Sequence, residues 1–401
     1  MKKVFIVAAK RTPLGSFGGS LSSIPASKLA ATAIKAALEE SKVPSEAVDE
    51  VILGNVIGAG QGMGPGRQAA IYAGLSEDVP AYSLNMVCGS GMKTIMDAAA
   101  HIKAGDAEVV VAAGAENMSQ IPFAVPSKIR SGQKMGGLEM ADLLISDGLT
   151  DAFNQYHMGN TAENVVEKAG LTREEQDTFA INSQVKAVAA IDEGKFKDEI
   201  VPVDVVSRKK TTTVDTDEYP KADASLDGLA KLRAAFKKDG SVTAGNASGI
   251  NDGGSAVIVA SEEAIEKYNL TPLMEIVGYA QAGIDPKIMG LGPVPAVKKA
   301  LEKANVNIQS VGLLELNEAF AGQALGVVKG LATELDTQEA DLLERCNVNG
   351  GAIALGHPLG ASGNRIVVTL LHEMNRRNTE YGLASLCVGG GMGTAIILKK
   401  A

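Results

Sequence analysis

Two stretches of this chain repeat one arrangement of apolar and polar positions. Ala36-Ala37-Leu38-Glu39-Glu40-Ser41-Lys42-Val43 has the period of an amphipathic helix. A short loop then leads into Val48-Asp49-Glu50-Val51-Ile52-Leu53-Gly54, whose apolar run reads as a buried strand. Lys299-Ala300-Leu301-Glu302-Lys303-Ala304-Asn305-Val306 leads into Val311-Gly312-Leu313-Leu314-Glu315-Leu316-Asn317 in the same way. The match continues downstream. Ser90-Gly91 opens a helical pattern through His101, followed by the strand Val109 to Ala113, and Ser362-Gly363 opens one through Met374, followed by Leu383 to Cys387. Gly254-Ser255-Ala256-Val257-Ile258-Val259 echoes Gly393-Thr394-Ala395-Ile396-Ile397-Leu398.

Strands alternating with helices predict an α/β protein with mainly parallel or mixed sheets, and the repeat predicts two such units about a pseudo-twofold axis. In the second unit the closing strand follows a short Gly-rich turn. In the first, residues 120–250 intervene, far more than the ~12 to 15 residues of a simple loop. The expected organisation is a first half from 1–119 with 251–270, an inserted loop domain from 120–250, and a second half from 271–401. A site is expected between the halves, where strand ends and helix N-termini converge. Cys88 precedes the helix of the first half and His357 that of the second, while Asn317 and Cys387 end second-half strands. These four residues should share one face.

Composition narrows the class. A chain of 401 residues exceeds the roughly 250 to 300 that one core supports. Aromatics at 4% and no Trp suit close α/β packing. A net charge of −9 without a long basic tract argues against nucleic acid as a partner. No apolar run reaches the about 18 residues of a membrane span, and the strand-like start Lys2-Lys3-Val4-Phe5-Ile6-Val7 lacks the form of a signal peptide, so a cytoplasmic location is expected. Three cysteines are too few for a disulfide framework and fit a reducing compartment.

A lone cysteine is ordinarily a small buried hydrophobe. Cys88-Gly89-Ser90-Gly91 differs, because glycines let a substrate approach the backbone and leave N–H groups free for an oxyanion. A helix N-terminus and a nearby imidazole would both lower the thiol's pKa. A Cys-His pair of this kind forms thioesters or other covalent acyl intermediates. Gly389 to Gly393 after Cys387 offer similar bare backbone, or simply a tight turn between strands.

Asn85-Met86-Val87-Cys88-Gly89-Ser90-Gly91, Tyr156-His157-Met158-Gly159, Ala244-Gly245-Asn246-Ala247-Ser248-Gly249, Asn317-Glu318-Ala319-Phe320, Gly356-His357-Pro358 and Cys387-Val388-Gly389-Gly390-Gly391 together resemble the thiolase family, in the family's order and across essentially the whole chain. The resemblance implies mixed five-stranded sheets in an α-β-α-β-α layering plus a loop domain. It implies ping-pong acyl transfer on coenzyme A thioesters, with no metal and no tightly bound cofactor. Cys88 would take the acyl group, His357 would help form its thiolate, and Cys387 would move the proton of the methyl carbon. His357 and a water held by Asn317 would serve the oxygen of the second thioester, and the N–H groups of Cys88 and Gly389 the oxyanion on Cys88.

The segment Asp147-Gly148-Leu149-Thr150-Asp151 before His157 and Met158 resembles the short-chain members, which interconvert acetyl-CoA with acetoacetyl-CoA and CoA. A degradative enzyme of broader chain length is the closest alternative, with a decarboxylating ketoacyl-synthase type or a non-enzymatic acyl-CoA carrier behind it. By the same resemblance Leu149, His157, Met158, Ala244, Ala247, Ser248, Ala319 and Phe320 would contact substrate. Ser207-Arg208-Lys209-Lys210 and the run from Lys231 through Lys238 would meet coenzyme A or form a solvated face. Lys221 stands where related enzymes often carry arginine, keeping the charge without the planar fork. A homotetramer, a dimer of dimers, is expected, with residues 120–140, including Lys128, Arg130 and Lys134, as a candidate tetramer loop. Cys88 and Cys387, if both reach one carbon, would be close enough for a disulfide under oxidation. His101, His372 and Cys346 are expected to be structural, and the acidic stretch 330–344 to extend a surface helix.

Overall fold

The computed structural model describes residues 2–208 and 210–401, so Lys209 of the basic run lies outside the described residues. The first half contains β1 (Val4–Arg11), α1 (Ala26–Ser41), β2 (Glu50–Gly54), α2 (Pro65–Tyr72), β3 (Ala81–Leu84), α3 (Ser90–Ala104), β4 (Val109–Asn117) and, after the insertion, β5 (Asn251–Ser261). Its sheet order is β3-β2-β4-β5-β1, parallel across the first two pairings and antiparallel across the others. The insertion contains α4 (Met158–Ala169) and α5 (Arg173–Asp192).

The second half repeats the plan with β6 (Met274–Gly283), α6 (Pro293–Ala304), β7 (Val311–Leu316), α7 (Ala321–Glu334), α8 (Leu359–Arg377), β8 (Tyr381–Val388) and β9 (Met392–Lys400). The order β7-β8-β9-β6 has the same sequence of parallel and antiparallel pairings. Among the described residues only a parallel bridge between Leu314 and Cys346 stands at the fifth strand's position. The two sheets are also joined, since β1 pairs with β6 at Phe5–Glu275 and Ile6–Met274.

The layering follows from the alternation of side chains along each strand. Val51 and Leu53 pack with Ala30, Ile34 and Ala37 of α1, whereas Ile52 between them faces Met92, Ile95, Ile366 and Leu370 in the central layer. Leu313 joins that central layer, and Leu314 and Leu316 pack outward against Val297 of α6 and Val327 and Leu331 of α7. Both faces of each sheet are thus covered, which explains the continuous apolar runs. The helix α3 and its counterpart α8 form the middle layer and meet through glycine. A Cβ at Gly91 would lie 2.7 Å from the nitrogen of Asn364, and one at Gly363 2.5 Å from that of Met92. This contact brings the starts of the two helices together, and with them Cys88 and His357.

An ion cluster ties the insertion to β1. The fully buried Arg11 donates to both oxygens of Asp217 at 2.7 and 2.9 Å and to Glu199 at 2.6 Å. The stretch 330–344 does not extend one helix. The helix α7 ends at Glu334, Asp336 takes a left-handed φ of 48°, and a separate short helix runs Glu339–Glu344. Among the described residues no helix is long and apolar enough to cross a membrane.

Candidate active site

The turn before α3 is built by its own polar groups. The Met86 N–H donates to Ser90 Oγ at 2.8 Å, Ser90 Oγ donates to the Val87 carbonyl at 2.7 Å, and the Val87 N–H donates to Asn85 Oδ1 at 2.8 Å. They hold Val87 at φ 45°, a left-handed conformation that costs a β-branched residue about 1–3 kcal/mol. Cys88 follows, next to the Gly89 cap of α3. Its sulfur is approached by the backbone N–H groups of Gly389 and of Cys88 itself. Gly389 belongs here because a Cβ at that position would lie 3.2 Å from Cγ1 of Val87.

His357 is placed by backbone and side chain together. Gly356 before it has φ 113°, and the N–H of His357 donates to Asn251 Oδ1 at 2.9 Å. Its Nδ1 lies 2.6 Å from Ser362 Oγ, and Ser362 Oγ donates to the Pro358 carbonyl at 2.9 Å. A serine hydroxyl has one proton. With that proton on Pro358, Ser362 accepts from Nδ1–H, which leaves Nε2 as the basic nitrogen. Among the described residues Nε2 is buried without a hydrogen-bond partner, as are Oδ1 and Nδ2 of Asn317. Asn317 is fixed by its N–H, which donates to the Ser385 carbonyl at 3.0 Å at the end of β7. Buried polar atoms without partners mark places where a water or ligand atom belongs.

The electrostatics differ from the sequence expectation for Cys88. Burial pushes its thiol up to about 11, against lowering by the two N–H groups, and the charge of Glu116 raises it further. Burial, then the charge of Arg365, pushes His357 down to about 4. The free site therefore holds a thiol and a neutral imidazole, because desolvation outweighs the helix terminus. Cys387, the penultimate residue of β8, is fully buried with Met158, Ala247, Ala319 and Phe320. Burial and then Cys88 raise its thiol well above the usual range.

Cys88 and His357 border a chamber of about 540 Å³ that is also lined by Leu149, His157, Met158, Ala244, Ala247, Ser248, Ala319 and Phe320. Asn317, Cys387 and Gly389 are absent from its lining, Asn317 and Cys387 being buried. Lys221 does not line it either. It is exposed, with its ammonium 5.5 Å from the ring of Tyr219, and Tyr219 is the residue that reaches the wall. Lys231, Arg233, Lys237 and Lys238 are exposed and flank Phe236 in the chain.

Phe236, Tyr219 and Met289 line the chamber and escaped the sequence reading. Phe236 stacks on His157 with centroids 4.6 Å apart and meets Phe320 edge-on at 6.1 Å. Its sequence signal is Gly159, where a Cβ would come within 2.2 Å of the Phe236 ring. The remaining candidates are structural. His101 pairs with Glu50 at 2.5 Å, His372 lies 2.9 Å from the Ala9 carbonyl, and Cys346 is buried in the outer core of the second half. Among the described residues no cluster of three or more His, Cys, Asp or Glu has the geometry of a metal site.

The chain is similar to known proteins over its whole length. The family model described as thiolase, N-terminal domain, matches residues 4–263, and that described as thiolase, C-terminal domain, matches residues 270–400. The chain is 56% identical over 399 residues to the acetyl-CoA acetyltransferase of Chromobacterium violaceum, covering 99% of this chain and 100% of that one. The crystal structure of the Bacillus anthracis acetyl-CoA acetyltransferase superposes with a TM-score of 0.95 at 45% identity, over 100% of this chain and 99% of that one. Human mitochondrial 3-ketoacyl-CoA thiolase in complex with CoA gives 0.93 at 45% identity, over 100% and 98%. With its duplicated halves, its glycine-crossed central helices and its cysteine and histidine turns at one chamber, the chain belongs to the thiolase family.

Proposed function

We propose that this protein is an acetyl-CoA C-acetyltransferase that condenses two acetyl-CoA reversibly into acetoacetyl-CoA and CoA. The observation that carries the reading is the set of partnerless buried atoms, Nε2 of His357 and both side-chain atoms of Asn317, at a site whose backbone N–H groups already point at Cys88. The names of its relatives support the substrate.

In the first half-reaction Cys88 Sγ attacks the acetyl carbonyl while its proton passes to His357 Nε2. The tetrahedral oxyanion is held by the N–H groups of Cys88 and Gly389, where one donor is typically worth about 2.7–4 kcal/mol. The departing CoA sulfur takes the proton of Cys387, leaving a buried thiolate that is a strong base. In the second half-reaction that thiolate removes a proton from the methyl group of another acetyl-CoA. The enolate oxygen is met by the protonated Nε2 of His357 and by a water on Asn317. The carbanion attacks acetyl-Cys88, and the released Cys88 recovers its proton from His357, which balances the cycle.

Leu149, His157, Met158, Ala244, Ala247, Ser248, Ala319 and Phe320 hold the acyl and pantetheine parts in this reading, and Lys221 with the exposed basic run lies toward the nucleotide. The reading includes a cytoplasmic homotetramer built through the loop at 120–140, and the three-part division 1–119 with 251–270, 120–250 and 271–401. Incubation with acetyl-CoA followed by peptide mass analysis tests the core claim, and absence of an acetyl group on Cys88 would reject it. Cys387→Ala should keep that acetylation and lose condensation. The likeness to a 3-ketoacyl-CoA thiolase keeps a broader chain length as a second reading. Thiolysis rates across a 3-ketoacyl-CoA series separate the two, comparable rates on long chains favouring the second.

A further inference from the structure

The C-terminal end of β4 carries a fully buried carboxylate that none of these steps uses. Glu116 gathers four hydrogen bonds. Its Oε2 accepts from the N–H of Val56 at 2.9 Å and of Gly360 at 3.0 Å, and its Oε1 from the N–H of Ile57 at 3.2 Å and Asn55 Nδ2 at 3.1 Å. Three of the donors follow β2 in the first half. The other, Gly360, lies in the first turn of α8, directly after the His357-Pro358 turn. Glu116 thus binds an N-terminal N–H of the helix that His357 introduces, where the peptide dipoles favour an anion.

The chemistry of this cradle calls for a carboxylate. Each oxygen accepts two donors, and an amide or a carboxylic acid would set its own hydrogen against at least one of them. The cradle has no slack, because a Cβ at Gly360 would lie 2.6 Å from the Ala115 carbonyl and 2.7 Å from Glu116 Oε2. Glu116 is fully buried, both of its oxygens are taken by these four donors, and it does not line the chamber, so it has no free atom to offer a substrate. We propose that Glu116 is a positioning residue that ties the His357 turn to the half of the molecule carrying Cys88, so that base and nucleophile keep one separation through both half-reactions.

This rests on Cys88 being the nucleophile. Burial is the main cause holding the Cys88 thiol protonated, and the charge on Glu116 adds a smaller push in the same direction. Burial also raises the Glu116 carboxyl to about 7, against lowering by the N–H groups of Val56, Ile57 and Gly360, so the charge is largely present at pH 8. The other titratable groups of the site, His357 and Cys387, are held uncharged in the free enzyme chiefly by burial, and the charge of Arg365 also acts on His357. Removing the Glu116 charge should therefore slow turnover while making the free thiol more reactive, a combination that simple loss of structure does not produce.

The test compares Glu116→Gln, Glu116→Asp and Asn55→Ala in the full-length enzyme. The readouts are kcat and KM for acetoacetyl-CoA thiolysis, and the rate at which iodoacetamide alkylates Cys88 at pH 8, followed by peptide mass. For Glu116→Gln, kcat should fall about tenfold or more with KM within about twofold, and alkylation should rise about threefold. Glu116→Asp keeps the charge, so it should recover part of kcat and the wild-type alkylation rate. A kcat for Glu116→Gln within about twofold of wild type overturns the proposal. So does lost activity with an unchanged alkylation rate. If Glu116→Gln does not fold, Asn55→Ala decides, since it removes one donor and leaves the carboxylate. It should lose kcat severalfold, and wild-type kcat there overturns the proposal. Cys88→Ala in parallel keeps the two ideas apart: turnover by that variant rejects the nucleophile assignment, whereas the outcomes above concern Glu116 alone.

Discussion

Replacement of Ser362 by alanine isolates one atom's contribution to the base. The hydroxyl donates to the Pro358 carbonyl at 2.9 Å and so accepts from Nδ1–H of His357 at 2.6 Å. Without it a buried ring N–H loses its only partner, which costs about 1–3 kcal/mol. The imidazole escapes that cost by rotating or by moving its proton to Nε2, and either change removes the basic lone pair from Cys88. Since about 1.4 kcal/mol is a factor of ten in rate, kcat for acetoacetyl-CoA thiolysis should fall roughly 5- to 150-fold. KM should stay within about twofold, because Ser362 does not line the chamber. The same loss should appear in the single-turnover rate of Cys88 acetylation, measured by rapid quench and peptide mass. A kcat within about twofold of wild type would show that Ser362 does not set the His357 tautomer, and the derivation of Nε2 as base would fail with it.

Other measurements probe the rest of the site. Because the free Cys88 thiol is pushed up to about 11, its alkylation by iodoacetamide should still be rising at pH 9. A plateau reached below pH 7 would instead reveal a resting thiolate-imidazolium pair. Gly159→Ala forces Phe236 off His157 at an overpacking cost of about 1–3 kcal/mol, which should lower kcat/KM severalfold, and an unchanged value would remove Phe236 from the acyl pocket. Arg11→Leu leaves Asp217 and Glu199 buried without their cation, a change worth about 3–5 kcal/mol. It should lower the thermal midpoint and open residues 196–220 to limited proteolysis, and neither effect is expected if the cluster is incidental. Mild peroxide should abolish activity reversibly through a Cys88–Cys387 disulfide, with dithiothreitol restoring it; loss of activity without that crosslink speaks against a redox switch.

The legible parts of this chain are those whose cause is local. The repeat reveals itself because each buried strand and its amphipathic helix carry their own periodicity. Cys88 and His357 stand out because the glycines that bring them together must sit beside them in sequence. Phe236 leaves almost no trace, since its place depends on a side chain crossing from one part of the insertion to stack on His157 in another, and only the missing Cβ at Gly159 records the approach. Glu116 is harder still, with donors from the segment after β2 and from the start of α8, so no window of sequence contains its partners. The direction of the Cys88 shift is not legible in the chain for a related reason. A helix terminus and a histidine are visible in the chain, but burial is a property of everything packed around them, and here it is the larger effect. A protonated resting thiol changes what substrate binding must accomplish. In the proposed mechanism the proton moves to His357 as the acyl carbonyl arrives, so the energetic burden falls on the N–H groups of Cys88 and Gly389. These donors are what the strained turn at Val87 and the bare backbone after Cys387 hold in place, and that explains why glycine and strain concentrate at the two cysteines.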